Sequence, residues 1–280
     1  MVSGVNFDGE FYPPQGLPKG LGVLVLGGSD GGVPSRRAGY LAENGFPALA
    51  LAYFKTKRTP GYLDMIPLEY FDQPIEWLKK NKNVQGGNIV VIGESKGAEL
   101  ALLLASRKPE ISGVVVFVPS AVLFQGIPKD YWPPRSSWSH RGEPIPFVPY
   151  DVKGLADPND VLSIYRNSLK QQDAVSRSLI PVDKIKGPVL LFSARDDRMW
   201  PSFEMSERIM RTLKEQAFSY AYKHIPYEDA GHTLTEYFMM GGTEEGNRKA
   251  RIDSAQKMLS FLNRQSAEQP AVPEGPMPRR

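Results

Sequence analysis

Apolar residues dominate short runs at 22–26, 46–52, 88–92, 114–118 and 188–192, each only five to seven residues long and made largely of Val, Ile, Leu and Ala, with Asn88 at the start of the third as the one polar residue. Runs this short, with no polar residue on alternate positions, predict strands covered on both faces. A last strand is expected at 220–225. Between them the period lengthens to that of helices, at 35–44 with Ser35 as N-cap, 67–80, 98–106, 160–172, 202–214 and 246–263. In 67–80, Leu68, Phe71, Ile75 and Leu78 share one face, and Pro67 suits a first turn. Strand–helix alternation of this kind predicts an α/β fold: a mostly parallel central sheet, joined by right-handed crossovers and flanked by helices on both faces. Residues 2–12 alternate loosely around Asp8 and Gly9, which predicts a short antiparallel hairpin before Pro13 and Pro14.

Two stretches lack any period. The first opens at Ser120 and extends to about Tyr150, with Tyr131, Trp132, Pro133, Pro134, Trp138, His140 and Pro144 inside it. Aromatic side chains in irregular backbone must pack on something, so an excursion of about 120–180 is expected to form a lid or pocket wall over the C-terminal end of the sheet. The second, 265–280, is rich in Pro, Gln, Ala and Glu and is expected to be a disordered tail, leaving 1–264 as one catalytic domain.

Composition narrows the function. The 280 residues, 41% of them hydrophobic, suffice for one substantial core. A net charge of +3, with no basic run interleaved with aromatics, argues against a nucleic-acid partner. With no cysteine, disulfides, thiolate metal sites and a cysteine nucleophile are excluded. The first residues carry neither a basic nor an apolar leader segment, and no apolar run nears the roughly 20 residues of a membrane span, so a cytoplasmic protein is expected.

The chemistry concentrates at Gly93-Glu94-Ser95-Lys96-Gly97, which joins the strand at 88–92 to the helix at 98–106. Gly-x-Ser-x-Gly between a strand and a helix is the layout of a nucleophile elbow, in which a strained turn holds the serine hydroxyl out of the sheet. An oxyanion formed there would meet the N–H of Lys96 at the helix N-terminus. The glycine-dense loop 27–32 follows the first core strand. Its spacing fits neither a dinucleotide fingerprint nor a P-loop, and it is read as an oxyanion loop, with the Ser29 N–H as second donor.

Serine needs a base, and the base needs an orienting acid. Of three histidines, His224 lies within a strand and His140 within the excursion, whereas His232 follows the last strand in a loop, where side chains converge on a site at strand ends. Asp196 and Asp197 follow the strand at 188–192; Asp196 is expected to orient His232 and Asp197 to cap the turn. Lys55, Lys57 and Arg58 lie past the strand at 46–52 and suit a phosphate-bearing substrate. Trp132, Trp138 and Trp200 are further candidate substrate contacts.

At these residues a family resemblance emerges. Gly93 to Leu100 (GESKGAEL), with residues 66–71 (IPLEYF), 142–146 (GEPIP), 180–182 (IPV) and 230–232 (AGH), resembles the C-terminal catalytic domain of acyl-CoA thioesterases and bile acid-CoA:amino acid N-acyltransferases, over about 22–261. The resemblance implies an α/β-hydrolase with a triad of Ser95, Asp196 and His232, and the first aspartate also matches the acid loops of prolyl oligopeptidase and dienelactone hydrolase relatives. The amidating transferases use cysteine; serine here favours hydrolysis. The expected activity is therefore hydrolysis of a small-molecule acyl thioester or ester through an acyl-enzyme, with no cofactor and no metal. Acyl transfer to an amine or alcohol, a carboxylesterase or dienelactone hydrolase activity, and a non-catalytic ligand-binding module are the alternatives.

Overall fold

The computed structural model describes residues 2, 6–157 and 159–267. In chain order, β1 (Asp8–Tyr12), β2 (Gly20–Leu26), α1 (Ser35–Glu43) and β3 (Ala48–Ala52) are followed by the two-residue β4 (Ile66–Pro67), then α2 (Asp72–Lys79), β5 (Val84–Glu94), α3 (Lys96–Arg107) and β6 (Ile111–Phe117). The excursion contributes β7 (Trp138–His140), β8 (Glu143–Pro144), α4 (Val161–Ser168) and α5 (Gln172–Arg177), and the chain closes with β9 (Val189–Ala194), α6 (Ser202–Glu215), β10 (Tyr222–Tyr227) and α7 (Glu244–Ala267).

Seven strands form one sheet in the order β1-β3-β2-β5-β6-β9-β10. All neighbours are parallel except β1, which pairs antiparallel with β3. The period-2 alternation of side chains divides each core strand between two hydrophobic clusters. Leu24, Leu49, Val91, Val116 and Leu191 point to one, with residues of α2, α3 and α6; Val25, Ala50, Ile92, Val115 and Phe192 point to the other, which contains residues of α1 and α7. Both faces are covered, which is why these strands read as continuous apolar runs. The chain reverses direction at β2: from β2 it steps outward to β3 and then back past β2 to β5. Right-handed crossovers put α1 and α2 on opposite faces and open a crevice at the carboxyl ends of β2 and β5.

Several expected elements are altered by packing. Of the hairpin expected at 2–12, residues 3–5 lie outside the described residues; the Val2 N–H donates to the Gly9 carbonyl at 3.0 Å, and β1 pairs antiparallel with β3, where Gly9 lets the two backbones approach: a Cβ there would lie 2.8 Å from the Ala50 carbonyl. Ser35 does not cap α1; its hydroxyl donates to Glu10 on β1 at 2.7 Å. Pro67 belongs to β4 and a short 3-10 turn precedes α2. The helix expected at 160–172 ends at Ser168, and a second one starts at Gln172. Helix α7 runs on to Ala267, three residues into the segment expected to be disordered, where the Ser266 hydroxyl donates to the Lys19 carbonyl; residues 268–280 of the expected tail lie outside the described residues. Among the described residues no helix is long and apolar enough to cross a membrane.

Candidate active site

The turn from β5 into α3 is the tightest place in the crevice. Ser95 has φ 53° and ψ −121°, backbone angles that cost about 1–3 kcal/mol for a residue with a side chain. Neighbouring groups hold it there. Its N–H donates to the Phe117 carbonyl on β6 at 3.0 Å, and its own carbonyl accepts from Ala98 and Glu99. Glycine is obligatory on either side, because a Cβ on Gly93 would lie 2.1 Å from the Gly97 carbonyl oxygen and one on Gly97 would lie 2.3 Å from that of Gly27. The second contact presses α3 against the carboxyl end of β2.

His232 Nε2 lies 2.8 Å from Ser95 Oγ, and His232 Nδ1 lies 2.9 Å from Asp197 Oδ2 and 3.0 Å from Oδ1. An ionised carboxylate can only accept, so the ring donates from Nδ1 and its Nε2 lone pair faces the serine hydroxyl. Ser95 and His232 thus meet as expected from the sequence, but the aspartate within hydrogen-bond distance of His232 is Asp197 and not Asp196. Asp196 points away: it accepts the Gly242 N–H at 2.7 Å and pairs with Arg198 at 3.2 Å, and these two interactions hold its carboxyl below the usual carboxylate range. The Asp196 side chain is 43% exposed, that of Asp197 only 2%. Both residues lie in the turn after β9, which ends at Ala194, so strand alternation does not decide between them. Asp197 Oδ1 accepts the N–H groups of Met199 and Trp200 at 2.9 and 3.1 Å, so one residue both closes the turn and orients the histidine.

The His232 loop is pinned from both ends. Its N–H donates to Met240 at 3.0 Å, and the buried Asn247 on α7 accepts from the Gly231 N–H while donating to the carbonyls of Gly241 and Thr243. Asn247 was not singled out by the sequence, where it is one amide in the first turn of α7, after Glu244, Glu245 and Gly246. The other two histidines lie elsewhere. His140 pairs with Glu69 at the surface, while His224 bridges Ser193 and Glu207 at 2.7 Å each. That second Ser–His–carboxylate arrangement has its serine fully buried within β9, without a strained turn or a helix N-terminus to present it.

Of the two oxyanion candidates, Lys96 is the first residue of α3, where a helix has no intrahelical acceptor for its N–H. Gly28, adjacent to Ser29, comes so close to Ser95 that a Cβ on it would lie 3.3 Å from the serine Cβ. The loop is anchored by the buried Tyr53, whose hydroxyl donates to the Gly27 carbonyl at 2.6 Å. Lys55, itself at φ 61°, packs its Cβ against Gly31 of the same loop, and Lys57 and Arg58 are exposed beyond it.

The tryptophans diverge. Trp132 is exposed beside Asp64 and Arg135. Trp200 is fully buried, with its ring 5.7 Å from that of His232 at 82° and its indole N–H donating to the Val118 carbonyl at 3.0 Å; it supports the histidine and offers no surface to a substrate. Trp138 is also fully buried and donates to Glu99 at 2.8 Å, so direct substrate contact by Trp138 is corrected to a contact within the core.

Glu99 and the Lys96 side chain are the largest feature that sequence reading passed over. Both are buried, 0% and 1% exposed, with the ammonium 3.0 Å from Oε1 and 3.1 Å from Oε2. Burial pulls the Lys96 pKa down and pushes that of Glu99 up, and their mutual attraction opposes both shifts. Removing one partner of such a pair costs about 3–5 kcal/mol. Two charges spaced i, i+3 at the start of an otherwise apolar helix are all that the sequence shows of it. Among the described residues, no cluster of three or more His, Asp and Glu side chains is arranged to hold a metal ion.

Residues 66–239, which include Ser95, Asp197 and His232, match the family model described as BAAT / acyl-CoA thioester hydrolase C terminal. The chain belongs to this family. Its relatives include mouse acyl-coenzyme A thioesterase 6, 29% identical over 93% of this chain and 64% of that protein, and mouse peroxisomal succinyl-coenzyme A thioesterase, 28% identical over 91% and 62%. The chain therefore spans somewhat under two thirds of the length of these relatives. The fold is that of α/β-hydrolases: acylaminoacyl peptidase of Pyrococcus horikoshii superposes with a TM-score of 0.61 at 14% identity, covering 95% of this chain and 40% of that one, and an esterase of Pyrococcus furiosus with 0.53 at 16%, covering 88% and 83%.

The two aspartates should separate in kinetics. Asp197→Asn leaves the geometry but removes the charge that favours the Nδ1–H tautomer and the imidazolium, and kcat for an ester should fall about 10⁴-fold. Asp196→Asn keeps an acceptor for Gly242 and should stay within about tenfold of wild type. Steady-state assays of both folded variants check this, and a larger loss in Asp196→Asn would reverse the assignment.

Proposed function

We propose that this protein is a serine hydrolase that cleaves acyl thioesters or esters through an acyl-enzyme, with Ser95 as nucleophile, His232 as general base and then acid, and Asp197 as orienting acid. The observation that carries the reading is the unbroken line of hydrogen bonds from Asp197 through His232 to Ser95, at 2.9 and 2.8 Å, on a serine held in a strained turn at a helix N-terminus. Membership of a family named for acyl-CoA thioester hydrolysis supports the substrate class.

The steps follow from the placement of the groups. Ser95 Oγ attacks the acyl carbonyl carbon as its proton passes to His232 Nε2, and Asp197 stabilises the resulting imidazolium. The carbonyl electron pair moves to oxygen, which the N–H groups of Lys96 and Ser29 and the positive end of α3 stabilise. Collapse expels the thiolate or alkoxide, which takes the proton from Nε2 and leaves the acyl group on Ser95. Water then attacks the acyl carbon, again giving its proton to Nε2, and a second collapse returns that proton to Oγ and releases the carboxylic acid.

For an acyl-CoA substrate, Lys55 provides a cation beside the oxyanion loop and the exposed Lys57 a second one two residues on, past the carboxyl end of β3 where such ligands gather. Ionic contacts made at an exposed rim add affinity that salt removes.

Ser95→Ala should lower kcat on the order of 10⁶-fold while leaving the circular dichroism spectrum unchanged, and a fluorophosphonate probe should label the wild type at Ser95, as peptide mapping would show. Absence of labelling in folded wild-type protein would remove the hydrolase reading. Lys55→Ala combined with Lys57→Ala should raise KM for an acyl-CoA several-fold at low ionic strength, less at high, with turnover of a small uncharged ester unaffected. Equal KM for acyl-CoA in variant and wild type would leave an ester, and not a CoA thioester, as the substrate class.

A further inference from the structure

The buried pair in α3 joins three parts of the chain: α3 itself, the segment at Phe124 and β7. Lys96, which follows Ser95 as the first residue of α3, is held by its side chain to both Glu99 oxygens and to the Phe124 carbonyl at 3.0 Å. Glu99 Oε2 accepts the Phe124 N–H at 3.1 Å, so both backbone groups of one excursion residue are bound to one ion pair. Glu99 Oε1 accepts the Trp138 indole N–H at 2.8 Å, which brings in β7. From Trp138 the packing continues to Tyr53, with ring centroids 5.7 Å apart, and the Tyr53 hydroxyl binds the Gly27 carbonyl of the oxyanion loop at 2.6 Å. From Phe124 it continues to Trp200, at 5.9 Å, and so to His232.

This arrangement is more than a way to neutralise buried charge. An apolar pair of equal volume would fill the same space at lower desolvation cost. What the ions add is direction: three donors converge on one carboxylate, and the ammonium has fixed acceptors, so neither α3 nor the excursion can slide without leaving a buried polar group unpaired. An oxyanion donor displaced by a fraction of an ångström loses much of its value, because its contribution depends on being aimed before the charge forms.

We propose that Lys96 and Glu99 act as positioning residues for the oxyanion hole, fixing the Lys96 N–H through the ion pair and the Gly27–Ser29 loop through Trp138 and Tyr53. This rests on the reading of Ser95 as nucleophile.

Two variants test it. Trp138→Phe removes a single donor and keeps the ion pair, and Lys96→Met combined with Glu99→Gln removes the charges while retaining similar volume. With p-nitrophenyl acetate, assayed well below each unfolding midpoint, kcat should fall about tenfold in the first and on the order of 10²-fold in the second, with KM within about twofold of wild type. Inhibition by a trifluoromethyl ketone, which forms a tetrahedral oxyanion adduct on serine, should weaken by the same factors as kcat/KM falls. Wild-type kcat in Trp138→Phe, or lower kcat without weaker ketone binding, would reduce the pair to a folding device. If the double variant does not fold, the Trp138→Phe measurements decide. Inactive wild-type protein would instead overturn the serine hydrolase reading, an outcome separable from any failure of the positioning role.

Discussion

The organising constraint is the contact between α3 and the carboxyl end of β2, where Gly97 presses on the carbonyl oxygens of Leu26 and Gly27. That approach is closer than any side chain permits. It sets the angle at which α3 leaves β5, and with it the backbone of Ser95, the direction of the helix N-terminus and the width of the crevice where the sheet reverses its order. Strain at Ser95 persists because the surroundings over-determine it: a strand hydrogen bond from its N–H, two helical ones to its carbonyl, and glycine on both flanks.

The second half of the site is built on a loop, and rigid elements hold that loop on several sides. Asp197 supports it at His232, Asp196 at Gly242 and Asn247 at Gly231 and Gly241, so a segment of irregular backbone is fixed by side chains from the β9 turn and from α7. The adjacent aspartates serve one loop from two directions. Trp200 completes the arrangement from below, its indole bound to Val118 and its edge against the imidazole.

Much of this was legible in the chain alone. Continuous apolar runs determined strands covered on both faces, the longer period determined the helices between them, and the strand–helix order determined a parallel sheet, because each of these patterns expresses how one short segment can bury its own apolar atoms. Gly-x-Ser-x-Gly pointed to Ser95, and a histidine beyond the last strand pointed to His232, since both depend on position relative to a strand end. Tertiary structure decided what local pattern cannot encode. Asp196 and Asp197 are chemically identical neighbours, and which one faces inward depends on Trp200 and on Gly242, 46 residues away. Nothing in the sequence marks the side chains of Lys96 and Glu99 as buried; residues 120–150 fold over α3 and take them out of water. Trp138 read as a pocket wall for the same reason: its burial against Glu99 comes from a chain segment that meets α3 only in the folded protein. Interactions over such separations reflect the packing of the whole chain, and no window of sequence contains them.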